Sequence, residues 1–230
     1  MSRTLHIYVA MVLVLAVLAI WGAAQLEIGN PELSGGAVLF WFLLTLAAEA
    51  FWFETPSARG MVSMSSAISL ATLFVLPPFL CLGIVAAAVL ISDRFLHRRP
   101  LFRSAFNAGQ TVVSLSVAAL VFRGFAGFEA PPGSGAILHH PLAVWASPLA
   151  FYLVNTLLVS IAVGLHARGS VFQAWSENYG NSWFFLASSV LFVLAVSLVC
   201  CVETLGLWSA ALVILLLGLV KEGTMRLALD

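Results

Sequence analysis

The chain alternates long apolar stretches with short polar breaks, and the lengths of the apolar stretches indicate the fold class. Six of them reach or approach the roughly 20 residues with which an α-helix crosses about 30 Å of hydrocarbon. They cover residues 5–24, 37–53, 104–122, 142–166, 181–201 and 205–220. This pattern predicts an all-α integral membrane protein in which residues 1–230 form a single polytopic membrane domain.

A seventh apolar stretch, residues 66–92, contains Pro77 and Pro78 near its middle. If it crosses the membrane once, the arginine-rich segment 93–103 falls on the outer side, against the positive-inside rule. If it turns back at the prolines, nine of the ten basic residues lie inside, with Arg123 as the exception. The sequence therefore predicts six full transmembrane helices plus one Pro-broken re-entrant helical hairpin, with both termini cytoplasmic.

The length of the first arm indicates what kind of hairpin this is. Residues 66–76 make 11 positions, which is about 16 Å of α-helix and only half of a membrane. We therefore expect a pair of half-helices rather than two full crossings. Such an element is stable only where protein or a water-filled cavity shelters its free backbone groups, so we expect the surrounding bundle to be compact.

Composition and charge indicate which kinds of surroundings and partners the chain can have. Mean hydropathy is +1.06, and ten basic residues balance ten acidic ones. This makes the lipid bilayer the main surroundings of the chain and gives no basic surface for nucleic acid. The three cysteines lie inside apolar stretches without metal-ligand spacing. We interpret them as small buried hydrophobic residues, and we expect no disulfide and no metal site.

A row of polar residues follows one face of the span 104–122 and the turn before it. The spacings of three and four place these residues on the same side of a helix; they are Arg103, Asn107, Gln110, Thr111 and Ser114. A face this polar is costly in contact with lipid, so it is expected to point into the bundle.

Two further polar groups lie within predicted spans, Glu49 and Asn155. An acidic side chain at the centre of a membrane helix costs about 2.5–3.5 kcal/mol, and less near the interface. We therefore expect Glu49 to have a partner, with Arg103, Arg94 or an amide as candidates.

These polar groups have three possible roles. They could be hydrogen-bonding contacts between helices, each worth about 0.6 kcal/mol; they could line a ligand pocket, or they could form a proton or ion path. For the pocket, amides offer donors and acceptors, and the broken hairpin offers free backbone groups. The candidate ligand-binding residues are Glu49, Arg103, Asn107, Gln110, Ser114 and Asn155. Their pattern does not identify a cofactor.

The residues that could support catalysis lack the sequence context of known catalytic motifs. The serines of the segment 63–69 lack a Gly-x-Ser-x-Gly or Ser-x-x-Lys context, and we interpret them as helix-capping residues. His139 and His140, with Glu129, lie on a loop rich in glycine and proline and are interpreted as solvated. No Walker loop or His-Glu-x-x-His motif occurs. We therefore predict a protein that is not an enzyme and has no catalytic residues.

One resemblance adds to this interpretation. The segments "VSMSSAISLATLFVLPP", "DRFLHRRPLFRSAFNAGQTVVSLSVAALVF", "FYLVNTLLVSIAVGL" and "VFQAWSENYGNSWFFLASSVLFVLAV" resemble the multi-span N-terminal membrane region of bacterial HD-GYP and GGDEF signalling proteins. The matching positions are Phe106, Asn107, Gln110, Asn155, Trp175, Glu177 and Asn178. The resemblance implies a sensor-like, multi-pass module of the bacterial inner membrane. The sequence has no HD, GYP or GGDEF motif, so turnover of cyclic di-GMP is not carried over.

Three functions follow as hypotheses. The first is a sensory, ligand-binding or regulatory module that acts through another membrane or cytoplasmic protein and binds a small hydrophobic or polar molecule. The second is a structural accessory subunit of a larger membrane complex of respiratory or photosynthetic type. The third is the substrate-binding component of a small-molecule importer, because the layout is loosely similar to that of vitamin importers.

Overall fold

A computed structural model describes residues 3–26, 34–49, 52–54, 61–127, 139–180, 182–213, 215 and 218. Their elements, in chain order, are α1 (Arg3–Leu26), α2 (Gly35–Glu49), β1 (Trp52–Glu54), β2 (Met61–Ser63), α3 (Ser65–Val75), α4 (Pro78–Ile91), α5 (Leu101–Ala126), α6 (Pro141–Ala167), α7 (Val171–Asn178) and α8 (Ser182–Leu205). A π-helical turn, Ser92–Leu96, continues α4. Strands β1 and β2 form a short antiparallel ribbon in which Trp52 lies opposite Ser63.

Five helices in the described residues are long and apolar enough to cross a membrane: α1, α4 with its π turn, α5, α6 and α8. The prediction of a helical, multi-pass membrane protein is confirmed at this level. Helix α2 has 15 residues and ends at Glu49, so the predicted span 37–53 was too long at its end, where Trp52 and Phe53 belong to β1.

The end of the chain is described only in part. The predicted span 205–220 began too early, because Leu205 is the last residue of α8. The chain then breaks at Gly206, whose φ of +86° is a left-handed conformation that favours glycine. Residues 208–213 are helical. Residue 214 and most of 216–230 lie outside the described residues, as do Arg59, Lys221 and Arg226 and most of the loop 123–141.

The proline-containing stretch folds into two helices that lie side by side. Helix α3 ends at Val75, and Leu76 and Pro77 have extended backbones. This follows from the sequence, because the residue before a proline avoids helical angles and Pro78 is tolerated in the first turn of α4. Cys81 Sγ lies 3.9 Å from the Ser69 carbonyl oxygen. In one continuous helix, twelve residues would separate these groups by about 18 Å, so α3 and α4 run antiparallel.

The two arms differ in length, which corrects the expectation of two half-helices. Helix α3 has 11 residues, whereas Pro78–Leu96 has 19 and is long enough to cross a membrane. Within α3, all side chains except those of Ser66 and Val75 are buried. Helices α2, α4, α5 and α8 pack around it. The short arm is thus sheltered by protein, as a helix too short to cross a bilayer requires.

Helices α1 and α5 run parallel, and their N-terminal ends lie together. The rings of His6 and Phe102 are 5.1 Å apart, and those of Tyr8 and Phe106 are 6.1 Å apart. Tyr8 Oη also donates to the Leu158 carbonyl oxygen at 2.8 Å, which brings the last turns of α6 to the same end.

The C-terminal ends of α2 and α4 meet there as well, since His97 Nε2 lies 3.2 Å from the Glu49 carbonyl oxygen. Six of the seven arginines in the described ranges therefore lie at one end of the bundle, and Arg123 lies at the other. We call this the arginine end; its residues are Arg3, Arg94, Arg98, Arg99, Arg103 and Arg168.

The close approach of α1 and α5 depends on Gly109. A Cβ built at this position lies 3.0 Å from Leu13 Cδ2 and 3.6 Å from Val12 Cγ1. Gly124, on the same helix, has nothing within 4 Å of such a Cβ. A larger side chain at Gly109 would therefore push the two helices apart, whereas the same side chain at Gly124 has open space.

We predict that Gly109→Leu lowers the free energy of unfolding by about 1–3 kcal/mol, because it overpacks the contact between α1 and α5. The matched variant Gly124→Leu should leave stability close to that of the unmodified protein. The measurement is the melting temperature of each purified protein in the same mild detergent. Equal losses in both variants would contradict the packing assigned to Gly109.

Candidate functional site

A cavity of about 420 Å³ opens near the arginine end of the bundle. The C-terminal end of α2, the first turns of α3, the π turn, one face of α5, the middle of α6, the α7–α8 connection and the first turns of α8 all contribute to its wall. The site is therefore assembled from segments far apart in the sequence. Its wall combines charged, amide and hydroxyl groups with a group of aromatic rings.

Five of the six predicted site residues line this cavity: Glu49, Arg103, Asn107, Gln110 and Asn155. Thr111, from the same polar row, lines it as well. Ser114 does not. Its fully buried hydroxyl donates to the Gln110 carbonyl oxygen, one helical turn back, at 2.7 Å. A serine hydroxyl within a helix commonly finds its hydrogen-bond acceptor in this way.

A buried carboxylate that the sequence analysis did not select, Asp93, is central to the wall. It is 2% exposed and forms an ion pair with Arg99, with 2.7 Å between Oδ1 and Nη1. Its other oxygen, Oδ2, accepts a hydrogen bond from Asn107 Nδ2. Asp93 thus joins the π turn, the arginine-rich loop and α5. The signal in the sequence was an acidic residue directly after the apolar run of α4, six positions before Arg99.

Glu49 lies at the C-terminal end of α2 and is 5% exposed. Its carboxylate accepts a hydrogen bond from the side chain of Ser65, at the start of α3, and the charges of Asp93 and Arg99 act on it. The sequence analysis named Arg103, Arg94 or an amide as partners. The side chain of Arg94 is exposed. Among the described residues, the groups that act on the Glu49 carboxylate include the Ser65 hydroxyl and the Asp93–Arg99 pair.

Gln110 has a hydrogen-bonding atom that is left without a partner. Its side chain is 8% exposed, and Nε2 donates to Thr111 Oγ1 at 3.2 Å. Because the Thr111 hydroxyl donates to the Asn107 carbonyl oxygen at 2.9 Å, its own oxygen is available as the acceptor, which fixes the orientation of the amide. Gln110 Oε1 is buried at the cavity and has no hydrogen-bond partner among the described residues.

The opposite wall is built by α6, α7 and the start of α8. Helix α7 folds back along α6: Val171 contacts Gly164, and Trp175 Nε1 donates to Thr156 Oγ1 at 3.1 Å. Further along, Tyr152 Oη donates to the Tyr179 carbonyl oxygen at 3.0 Å. A Cβ at Gly164 would lie 3.3 Å from Val171 Cα, so glycine permits this close approach.

Aromatic rings form the apolar part of that wall. The rings of Tyr179 and Phe184 meet edge to face at 4.9 Å, and those of Tyr152 and Phe184 are 5.9 Å apart. Phe151 and Phe192 line the cavity beside them. The resemblance had pointed to Trp175 and Asn178. Trp175 anchors α7 to α6, while Asn178 lines the cavity and donates to the Ala174 carbonyl oxygen at 2.6 Å.

Over the described ranges, no three His, Cys, Asp or Glu side chains lie together in a way that could hold a metal ion. The polar groups that line the cavity are suited instead to hydrogen bonding and ion pairing with an organic molecule.

Comparison with protein-family models, curated proteins and solved structures gives no match.

The two partners of the Asp93–Arg99 ion pair differ in their exposure to solvent, and this difference gives a test of the site. The Arg99 side chain is 20% exposed and can be hydrated if its partner is removed, whereas Asp93 cannot. We predict that Arg99→Ala lowers the free energy of unfolding by about 3–5 kcal/mol, because it leaves a buried carboxylate without its cation. Asp93→Asn should lower the free energy of unfolding clearly less than Arg99→Ala does.

Thermal or denaturant unfolding in detergent would measure both variants, with Arg94→Ala as the control because Arg94 is exposed. A larger loss for Asp93→Asn than for Arg99→Ala would show that Asp93 is not the desolvated partner of this pair.

Proposed function

We propose that the chain is a non-enzymatic membrane module that binds a small molecule and acts through another membrane or cytoplasmic protein. The observation that carries this proposal is the cavity with Gln110 Oε1 buried in its wall and lacking a partner among the described residues. Leaving such an acceptor unsatisfied costs about 1–3 kcal/mol. A bound molecule with a hydrogen-bond donor would remove that cost.

The alternative of interhelical hydrogen-bonding contacts fits only part of the polar row. Asn107 does join α5 to the π turn through Asp93. The side-chain hydrogen bonds of Gln110 and Ser114, however, stay within α5. A side chain that bonds only to its own helix does not hold two helices together, and for Gln110, which lines the cavity, this favours a role in binding.

The accessory-subunit and importer hypotheses remain as alternatives with different expectations. A structural subunit should co-purify with other membrane chains at fixed stoichiometry and carry no bound molecule. An importer component should bind its molecule and also dock a coupling protein at the cytoplasmic surface. The cavity favours the two binding functions over the purely structural one.

We further propose six full transmembrane helices with α3–α4 as a re-entrant hairpin, both termini in the cytoplasm, and a location in the bacterial inner membrane. Three observations support this topology: α1 and α5 run parallel, α3 and α4 run antiparallel, and six described arginines share one end. The positive-inside rule makes that end cytoplasmic. Because Arg103 is exposed and lines the cavity, the cavity then opens toward the cytoplasm.

The binding proposal predicts that the protein, purified in mild detergent, retains a small molecule that native mass spectrometry detects. Gln110→Leu should be as stable as the unmodified protein, since it removes an acceptor that has no partner, and it should lose the molecule. Gln173→Leu is the matched control, because Gln173 pairs with Glu177 on the exposed face of α7.

A Gln110→Leu protein that keeps every bound component would defeat the role assigned to Gln110. Asn107→Leu is a poorer probe. This substitution removes a hydrogen bond to the buried Asp93 carboxylate, so it would disturb the structure of the wall as well as the binding of a ligand.

The topology predicts which side of the membrane the arginine end faces. In a chain with Cys81, Cys200 and Cys201 replaced, Arg98→Cys should be protected from an impermeant thiol reagent added to intact cells. Arg123→Cys, at the opposite end of α5, should react under the same conditions. Labelling of the Arg98 position from outside would rule out the hairpin topology.

A further inference from the structure

The ionic groups that line the cavity balance one another. Two are carboxylates, those of Glu49 and Asp93, and two are guanidiniums, those of Arg99 and Arg103. Asp93 is paired with Arg99, and the Glu49 carboxylate accepts a hydrogen bond from Ser65. Because the formal charges of the described wall sum to zero, a charged ligand of either sign would lose its hydration without a net attraction to offset that loss. This balance favours an uncharged ligand.

The amide of Gln110 requires a hydrogen-bond donor. Its Oε1 is buried and has no partner in the described part of the chain. Gln110 follows Arg103, which is exposed at the rim, by seven residues on α5, or about 10 Å of helix. A neutral O–H or N–H group can donate to this acceptor without bringing a charge to that depth. An ether or a hydrocarbon would leave the acceptor unsatisfied.

The aromatic wall indicates what the rest of the molecule should be. Phe151, Phe184 and Phe192 line the cavity with Tyr152 and Tyr179. The Tyr152 hydroxyl already donates to the Tyr179 carbonyl oxygen, so the rings offer mainly apolar surface. Such rings pack well against apolar and aromatic groups. The volume of about 420 Å³ lies in the range of small-molecule sites.

We infer that the ligand is a neutral molecule with a hydroxyl or N–H donor on an apolar ring system, and that this donor binds Gln110 Oε1. The inference rests on the proposed function, because it names the class of molecule that the same cavity binds.

Four probes with the same ring system separate charge from hydrogen bonding: 2-naphthol, 2-methoxynaphthalene, 2-naphthoate and 2-naphthylmethylammonium. The first donates, the second does not, and the last two carry opposite charges. At neutral pH a phenol is uncharged, whereas a carboxylate and an alkyl ammonium are ionised. Binding is measured by ligand-observed NMR and thermal shift on the full chain in lipid nanodiscs, with empty nanodiscs as the blank for partition into lipid.

We expect 2-naphthol to bind most tightly of the four and 2-methoxynaphthalene to bind about tenfold more weakly, since the ether lacks the donor. Both ions should bind more weakly than 2-naphthol. This comparison uses the unmodified protein, so it tests the inference even if a variant does not fold.

A variant assigns the hydrogen bond to Gln110. Gln110→Leu should weaken 2-naphthol by about tenfold and leave 2-methoxynaphthalene unchanged, because only the first uses the acceptor. Gln173→Leu makes the same change on the exposed face of α7 and should leave the binding of both probes unaltered.

The failures can be told apart. Equal binding of 2-naphthol and its methyl ether, or tightest binding of either ion, overturns the neutral-donor class while leaving the cavity as a binding site. A protein that retains a molecule during purification but binds none of the four probes has the same consequence. If no probe binds and the purified protein carries no molecule, the proposed binding function itself is overturned.

Discussion

Hydrocarbon offers no hydrogen bonds, and most of this molecule is arranged around that constraint. The prolines between α3 and α4 end a helix before it is long enough to cross a bilayer, so α3 must lie within protein. Helices α2, α4, α5 and α8 surround it, and nine of its 11 residues are buried. The reversal at Leu76 and Pro77 also brings the start of α3 beside the end of α4. Ser65 and Asp93 thereby become neighbours of Glu49 in one wall.

The Asp93 carboxylate is the group through which the polar wall is held together. It forms an ion pair with Arg99 of the arginine-rich loop and accepts a hydrogen bond from Asn107 of α5. It lies in a π-helical turn. Such turns widen a helix locally and are frequent at functional sites. Removing one partner of a buried ion pair is costly, because the other charge is left buried without its partner. Gln110 and the aromatic wall supply groups that a ligand can use.

The fold and the candidate site could be predicted to different extents. Hydropathy indicated the helices, and the spacing of Asn107 and Gln110 placed them on one inward face, where the structure has them beside a cavity. The end of α2 was misjudged, because an apolar run such as "AAEAFWF" continues past the point where the helix stops at Glu49. Ser114 was included by its spacing, but a hydroxyl can bond to its own helix, and periodicity does not show this.

By itself, the sequence determined which segments prefer lipid, where prolines must break a helix and which end of the bundle collects arginine, because these depend on local composition and on the chemistry of each residue. Only the tertiary structure decided that Asp93 pairs with Arg99, that Ser65 meets Glu49, and that α7 folds back along α6 to complete the aromatic wall. These contacts join residues from different helices. They depend on how the helices pack and rotate against one another, which the periodicity of a single segment does not contain.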